Sequence, residues 1–428
     1  MEPAPSGIVF SPQRKLRLAY FVSHPIQYQA PLLRRIAQEP DIDLKVFFSS
    51  DQSVRGYVDP GFGVQVKWDV PLLDGYNSEF LPVLLEAKDS QFLAAAGNIN
   101  RDVKLKLRDG QFDAVWVHGY NYLTNLQAIR AAKSLRIPVL LRAESTLHDR
   151  TRSRAKLAVK KRFFAWLQPH IAAVLPIGKE NAAYWKHNLG ESIPQFPFHY
   201  AVDNNFFQKK SSEAAKTREE FRASLGLDPS RPIILFAAKL SDRKRCPDLL
   251  EAYLHIARTH SLNPRPYLLI VGDGEQRQQL EARVQQAQTA AEIQLGNVHF
   301  LGFRNQSELP RFYDLCTVFV LASVDEPWGL AINEVMNAAR PVIVSDQVGC
   351  QKNLVHPGVN GCVVPAGNVE ALAEALRTVL SNPAKAEKMG AASLRTVSAY
   401  NFDQNVTGLR QALNATVSGF PIAGLPLA

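Results

Sequence analysis

Short apolar runs alternate with helical patterns along the first half of the chain. Strand-like runs cover 16–22, 44–48, 114–117, 138–141 and 172–175, and a helix is predicted over 31–38. This alternation is typical of a doubly wound parallel sheet with helices on both faces. The first half is therefore predicted to be a Rossmann-like α/β domain.

The same series restarts after a polar, Ser- and Lys-rich stretch at 209–232. New strands are predicted at 233–237, 267–271, 298–301, 318–321 and 341–345, and helices at 246–260, 275–288, 307–315 and 330–339, with a helix-rich end from 369. We therefore predict two facing Rossmann-like domains, 1–205 and 206–399. Ligands of such sheets bind at the carboxyl ends of the strands, so the cleft between the domains is the expected site.

Composition narrows the classes of protein without choosing one. The chain has 428 residues, 46% of them hydrophobic and 21% charged, as in ordinary globular proteins. A formal net charge of +9 suits anionic substrates, a membrane surface or nucleic acid, but no nucleic-acid-binding motif is present. The four cysteines form no close pair, which argues against a zinc site or disulfides and favours the cytoplasm.

Both ends of the chain are expected to be loose. Residues 1–11 lack the apolar centre of a signal peptide, and 418–428 repeat Gly and Pro. No apolar run of about 18 residues occurs that would predict a membrane-spanning helix.

Two glutamates flank a predicted helix start. Glu326 lies in a loop and Glu334, after seven intervening residues, in the first turns of a helix beginning near Gly329. Such carboxylates can accept hydrogen bonds from the sugar and ribose hydroxyls of a sugar nucleotide. The N–H groups of Gly329, Leu330 and Ala331 lie between them and can face a diphosphate. Acidic residues also favour any first helical turn, so the spacing alone leaves both interpretations open.

Four further residues of the second half follow predicted strands. Lys239 and Lys244 could neutralise a leaving diphosphate, or they belong to a solvated basic turn. Gly272, in the turn 271–274, allows close approach of a ligand, and the backbone at 300–303, which ends in Phe303, could meet a nucleobase. Tight strand-to-helix turns need the same residues.

Five residues of the first half are candidates for the other side of the cleft. His118 ends a strand and could hydrogen-bond a sugar, although a lone histidine is often structural. Arg142 and Glu144 follow the next strand and either form an ion pair or line the acceptor pocket. His24 and Gln27 follow the first strand, where they could contact either substrate.

A basic stretch at 150–162 leads into the aromatic run 163–167. This pattern predicts either contact with an anionic membrane surface or a solvated helix face above a buried stripe. Asp41 and Asp43 have the spacing of metal-dependent sugar transferases, but they precede a strand and are interpreted as a turn. Nothing in the sequence requires a metal.

Together these residues resemble the family 4 retaining glycosyltransferases, which have the GT-B fold. The residues that carry the resemblance follow one another in the family's order: Lys239, Lys244, 272–274, 300–302, Glu326, Glu334, 341–345, Gly349, 360–361 and 364–365. Residues 200–203 with Phe207 resemble the interdomain segment. Residues from 400 onward resemble the crossover helix, so 400–428 are expected to return to the first domain.

The resemblance implies a cytoplasmic enzyme that transfers a sugar from a nucleotide diphosphate sugar to an acceptor hydroxyl, with retention and without a metal or cofactor. It implies that Lys239 and Lys244 hold the diphosphate, that Glu326 and His118 contact the donor sugar, and that Glu334 contacts the ribose. Glu326, His118 and Lys244 are thus the predicted catalytic residues. The acceptor would be a glycan, a lipid-linked molecule or a small molecule, and the basic stretch favours polysaccharide or glycolipid assembly at the inner membrane face.

Two departures from the family pattern bear on these roles. Lys239 stands where the family more often has Arg, and 23–27 replaces a Gly-Gly loop. Other functions stay open: a sugar-nucleotide epimerase on the same fold, or a non-catalytic sugar-nucleotide-binding protein. A nicotinamide-dependent oxidoreductase would need a third glycine at position 277, which is Arg.

Overall fold

Two parallel β-sheets of six strands each organise the part of the chain that the computed structural model describes. The described residues are 14–59, 63–86, 97–147, 153–259, 261–294 and 296–417. The expected loose ends, 1–11 and 418–428, lie outside them. We call the part built on the first sheet the first domain and the part built on the second sheet the second domain.

The first sheet has the strand order β10-β9-β8-β1-β2-β5, and two small hairpins, β3–β4 and β6–β7, accompany it. The strands are β1 Leu16–Val22, β2 Ile42–Phe48, β3 Tyr57–Asp59, β4 Val64–Val66, β5 Asn77–Phe80, β6 Val83–Leu85, β7 Ile99–Asn100, β8 Ala114–His118, β9 Val139–Arg142 and β10 Ala173–Val174. The five apolar runs of the sequence are confirmed as strands. The edge strand β5 was not predicted, because its four residues are mostly polar and none is buried.

Helices cover both faces of this sheet, which is why its central strands are apolar on both sides. They are Ala30–Ala37, Gln52–Arg55, Val103–Asp109, Leu123–Ser134, Arg154–Leu167 and Lys179–Leu189. The first of these confirms the helix predicted over 31–38.

The second sheet has the order β13-β12-β11-β14-β15-β16. Its strands are β11 Ile233–Ala237, β12 Tyr267–Val271, β13 Val298–Gly302, β14 Val318–Leu321, β15 Val342–Ser345 and β16 Gly361–Val364. The five predicted strands are confirmed, and β16 adds an edge that the sequence did not reveal. The helices here are Asn204–Lys216, Arg218–Ser224, Cys246–Arg258, Arg277–Thr289, Leu309–Leu315, Leu330–Met336, Gln351–Leu354, Val369–Leu380 and Pro383–Ser398.

The last described helix, Phe402–Thr416, returns to the first domain as predicted. Val406 and Leu409 are buried in the same core as strand β1. Its Arg410 donates to Asp41 Oδ2 at 2.6 Å and is also paired with Glu39. Asp41 therefore has a structural partner and lies just before β2, whereas the prediction that Asp43 belongs to the same turn is wrong, because Asp43 is the second residue of β2.

Candidate functional site

The carboxyl ends of the two sheets border a cleft with a volume of about 480 Å³. Residues of both domains line it. Those of the first domain are Gln27, Tyr28, Tyr57, Asp59, Trp68, Glu144 and Tyr200, and those of the second are Ala237, Ala238, Lys239, Arg243, Lys244, Leu321, Glu326, Pro327, Trp328, Gly329, Leu330 and Ala331. The structure thus brings Lys239, Lys244, Glu326 and the helix start together.

Backbone contacts join the loop that carries Glu326 to the segment around Gly349. The N–H of Gly349 donates to the Glu326 carbonyl at 2.8 Å, and a Cβ at Gly349 would lie 2.0 Å from the Pro327 carbonyl oxygen. Gly329 then adopts a φ of +95° as the N-cap of the helix Leu330–Met336. Leu330 and Ala331 are the first two residues of this helix, where backbone N–H groups have no carbonyl partner within the helix, and both residues line the cleft.

Glu326 and Lys244 form an ion pair at the floor of the cleft. The Lys244 ammonium donates to Glu326 Oε2, and Arg243 Nη1 lies 4.0 Å from the same oxygen. The side chains of Lys244 and Glu326 are only 14% and 10% exposed. Each charge is therefore held in place by the other, and an anion that approaches Lys244 meets a carboxylate already bound to it.

Glu334 lies in the helix that begins at Leu330, and it is half-buried. The Tyr313 hydroxyl donates to its Oε2 at 2.6 Å. Burial raises the pKa of Glu334 to about 7, although the hydrogen bond from Tyr313 lowers it in part. The carboxyl group is thus partly ionised near neutral pH. Among the described lining residues of the cleft Glu334 is not present, so its contact with ribose remains a prediction.

Lys239 follows β11 and is paired across the cleft with a residue that the sequence did not single out. Its Nζ lies 2.6 Å from Asp59 Oδ1, and Tyr57 donates to Asp59 Oδ2 at 3.2 Å. Asp59 belongs to the β3–β4 hairpin of the first domain. The same segment meets the second domain again where Asn305 Nδ2 donates to the carbonyl of Lys67 at 2.7 Å. No sequence signal identified Asp59, because its strand is only three residues long.

Glu144 lines the first-domain side of the cleft, and its contacts all fall on one oxygen. Oε1 accepts from Tyr28 at 3.0 Å and from the Tyr200 hydroxyl, and His118 Nε2 lies 3.6 Å from it. Within the described part of the chain, Oε2 has no hydrogen-bond partner. Burial by itself would raise the pKa of Glu144, but the proton and charge of His118 and the hydroxyl of Tyr28 lower it. An ionised carboxylate therefore presents one oxygen to the cleft.

His118 ends β8 and is buried. Gln29 Nε2 lies 3.1 Å from its Nδ1, and Tyr20 donates to Gln29 Oε1 at 2.6 Å. Burial lowers the pKa of His118. His118 is not among the described residues that line the cleft. It lies behind Glu144, with its Nε2 3.6 Å from Glu144 Oε1. Its direct contact with a donor sugar remains a prediction.

Arg142 does not share the position of Glu144. Its guanidinium is 1% exposed and lies 4.7 Å from the ring centre of Phe198 and 4.6 Å from that of Tyr200. Its Nε has no hydrogen-bond partner in the described structure. Of the two predicted alternatives, the ion pair with Glu144 is not formed, and only Glu144 lines the cleft.

The remaining candidates are Gln27, His24, Gly272 and Phe303. Gln27 lines the cleft, whereas His24 is half-buried with Nδ1 2.9 Å from Ser23 Oγ. Burial and the neighbouring His118 lower the pKa of His24 to about 4. Neither Gly272 nor Phe303 is among the described lining residues. A Cβ at Gly272 would lie 1.9 Å from the Ala238 carbonyl oxygen, so a close strand-end turn explains this glycine.

The residues that the structure describes contain no group of three or more His, Cys, Asp or Glu side chains arranged to hold a metal ion. Within the same ranges no helix is both long and apolar enough to cross a membrane. Of the basic stretch at 150–162, residues 150–152 lie outside the description, and the rest begins the helix Arg154–Leu167.

Comparison with known proteins agrees with this geometry. Residues 217–395 match the family model Glycosyl transferases group 1. An uncharacterised glycosyltransferase of Methanocaldococcus jannaschii is 34% identical over 165 residues, which are 38% of this chain and 39% of that protein. The alpha-D-kanosaminyltransferase of Streptomyces kanamyceticus is 30% identical over 182 residues, 42% of this chain and 45% of that protein. The matched part thus spans less than half of each of these curated relatives.

Solved structures share the fold over most of the chain. The crystal structure of Anabaena HepE in complex with UDP and glucose superposes with a TM-score of 0.68 at 17% identity, covering 94% of this chain and 100% of that one. The predicted arrangement of two Rossmann-like domains is therefore confirmed. The chain has the GT-B fold, and its residues 217–395 match the family Glycosyl transferases group 1.

Proposed function

We propose that the chain is a retaining, metal-independent glycosyltransferase that moves a sugar from a nucleotide diphosphate sugar to an acceptor hydroxyl. The observation that carries the proposal is one cleft lined by Lys239, Lys244, Glu326 and the helix start at Gly329, opposite Glu144 of the first domain. The similarity of fold to a protein crystallised with UDP and glucose supports a nucleotide-sugar donor.

In this proposal, positively charged groups stabilise the diphosphate as it leaves. Lys239 and Lys244 offset the charge that develops on the leaving group, and the N–H groups of Leu330 and Ala331 donate to its oxygens. When the diphosphate binds Lys244, Glu326 is released to accept a hydrogen bond from a hydroxyl of the donor sugar. The cations act as preorganised groups, because neighbouring carboxylates already hold them in the cleft.

The acceptor enters from the first domain. Its hydroxyl hydrogen-bonds to Glu144 Oε2 and attacks the anomeric carbon on the face that the diphosphate leaves. The C–O bond to the diphosphate breaks as the new one forms, and the acceptor proton passes to the departing phosphate oxygen. Glu144 is fixed for this role by Tyr28 and Tyr200, which hold its other oxygen.

We further propose that the protein works at the inner face of an anionic membrane, in polysaccharide or glycolipid assembly. The helix Arg154–Leu167 exposes Leu157 and Val159, which are 51% and 70% exposed, among basic side chains. Exposed apolar residues within a basic helix suit an anionic lipid surface. Flotation with phosphatidylglycerol vesicles should carry the protein upward, and phosphatidylcholine vesicles should not. A protein that floats with neither kind of vesicle would contradict the proposed membrane contact.

The central test is a thermal-shift panel of UDP, GDP, ADP and dTDP sugars, each with and without EDTA. A donor that binds the folded state raises the melting temperature by mass action. One clear hit that EDTA does not change, followed by nucleoside diphosphate release from that donor, is the expected result. Lys244→Ala should abolish the shift, and Lys388→Ala, on an exposed helix face, should keep it. Donor binding without turnover on any acceptor would favour a sugar-nucleotide sensor, and inversion of the sugar without transfer would favour an epimerase.

A further inference from the structure

The two walls of the cleft carry opposite charge. All the lysines and arginines that line it in the described structure, Lys239, Arg243 and Lys244, come from the second domain. The charged residues of the first-domain wall are two carboxylates, Asp59 and Glu144. A negatively charged donor therefore fits the second-domain wall, and a ligand of the first-domain wall must be compatible with two carboxylates.

A buried arginine lies behind the first-domain wall, where its charge helps to lower the pKa of Glu144 although it does not itself line the cleft. Arg142 is 1% exposed and stacks between Phe198 and Tyr200, so its guanidinium is not presented to a ligand in the cleft. Glu144, by contrast, has a side chain that is 41% exposed, and its Oε2 is left for a ligand. An oxygen of an ionised carboxylate can only accept hydrogen bonds, so it selects a hydroxyl or an amine.

The rest of this wall is aromatic. Tyr28, Tyr57, Trp68 and Tyr200 line the cleft beside the two carboxylates. Aromatic side chains offer large apolar surfaces together with a polar edge, and the C–H faces of sugar rings pack against such surfaces. Aromatic rings beside hydroxyl-accepting carboxylates are therefore complementary to an uncharged polyol ring.

A phosphorylated ring would meet repulsion at the same place. A phosphate near Asp59 or Glu144 places like charges together, and the described residues that line this wall include no lysine or arginine, so the wrong partner is disfavoured. The cations of the opposite wall are already paired, Lys239 with Asp59 and Lys244 with Glu326, and the donor diphosphate needs them.

We propose that the acceptor presents an uncharged sugar or polyol ring to the first-domain wall, and that rings bearing phosphate or carboxylate are rejected. The proposal rests on the proposed function, because it names the acceptor class of the same site. Glu144 is the residue that enforces the choice, through Oε2.

The test measures nucleoside diphosphate release by the full chain with the donor found in the thermal-shift panel. Methyl glycosides of common hexoses and myo-inositol are compared with the matching sugar 6-phosphates and inositol phosphate. Neutral acceptors should accelerate release with a kcat/KM at least about tenfold above that of their phosphates. Phosphates that work equally well or better would overturn the inference. So would a panel in which neither class accelerates release although the donor alone is slowly hydrolysed.

Variants of Glu144 separate recognition from folding. Glu144→Gln should raise KM for the neutral acceptor while the donor-induced thermal shift persists, and Glu144→Lys should move the preference toward the phosphates. An unchanged preference in Glu144→Lys, in a protein that still binds donor, would also overturn the inference. Loss of donor binding and hydrolysis in the wild-type protein would instead refute the proposed function, and the inference with it.

Discussion

The pair Lys244–Glu326 allows its structural and catalytic contributions to be separated. In Lys244→Met the Glu326 carboxylate, which is 10% exposed, keeps one neighbouring cation among the described residues, Arg243 at 4.0 Å. Removal of one partner of a buried ion pair destabilises a protein by about 3–5 kcal/mol. Because Arg243 compensates in part, we expect about 3 kcal/mol, which lowers the Tm of a domain of this size by about 6–12 °C.

The double variant Lys244→Met/Glu326→Gln removes both charges. It should recover most of the stability, to within about 1 kcal/mol of wild type, because no uncompensated charge remains. Transfer should stay low in both variants, by about 10²–10³-fold, because a cation that stabilises the leaving diphosphate is missing. Thermal unfolding and donor turnover are measured side by side, with Lys388→Met as a matched exposed control.

Two results would refute this reasoning. One is a single variant as stable as the control, which would mean that solvent already screens the Glu326 charge. The other is a double variant that recovers transfer activity together with stability, because Lys244 would then act only by supporting the fold.

Three further predictions concern other parts of the site. The pKa of Glu334 is raised from 4.5 to about 7, so we expect the affinity for the nucleotide sugar to increase from pH 6 to 8 as the carboxylate ionises. The contribution of this group to the stability of the fold has the opposite dependence: it is greatest at acidic pH and falls as the pH rises through 7. Calorimetric titration at each pH checks this, and Glu334→Gln should remove the dependence; a flat wild-type profile would contradict it. Asp59→Asn should strengthen donor binding about threefold to tenfold, because the diphosphate no longer competes with a carboxylate for Lys239. Weaker binding would mean that Asp59 positions this lysine for the donor. Gly178→Ala would place a methyl group 2.3 Å from Trp328 Cζ3, so it should cost about 1–3 kcal/mol of the interdomain contact and lower kcat more than donor affinity. An unchanged kcat would show that this contact is not needed for turnover.

Local features of the site were predictable because they depend on neighbouring residues. The apolar runs that became β1 and β11 are buried on both faces, and such strands are recognisable from composition alone. The loop from Glu326 to the helix at Leu330 was predicted as well, since a glycine, a helix start and the flanking acids lie within one short segment.

Contacts between distant segments were not predictable. The Asp59–Lys239 pair joins residues 180 positions apart, and Asp59 lies in a three-residue strand with no periodic signal. From the sequence, Arg142 and Glu144 were indistinguishable, because both come shortly after the predicted strand 138–141. Only packing against Phe198 and Tyr200 turned the arginine into the core and left the glutamate in the cleft.

By itself, then, the sequence determined the central strands of the two sheets, their helical cover and the helix start between Glu326 and Glu334, because burial and capping act over a few residues. The tertiary structure decided which charges face each other in the cleft. Lys239 and Lys244 meet Asp59 and Glu326, and Glu144 lines the first-domain wall, because folding brings the strand ends of two domains to the same cleft.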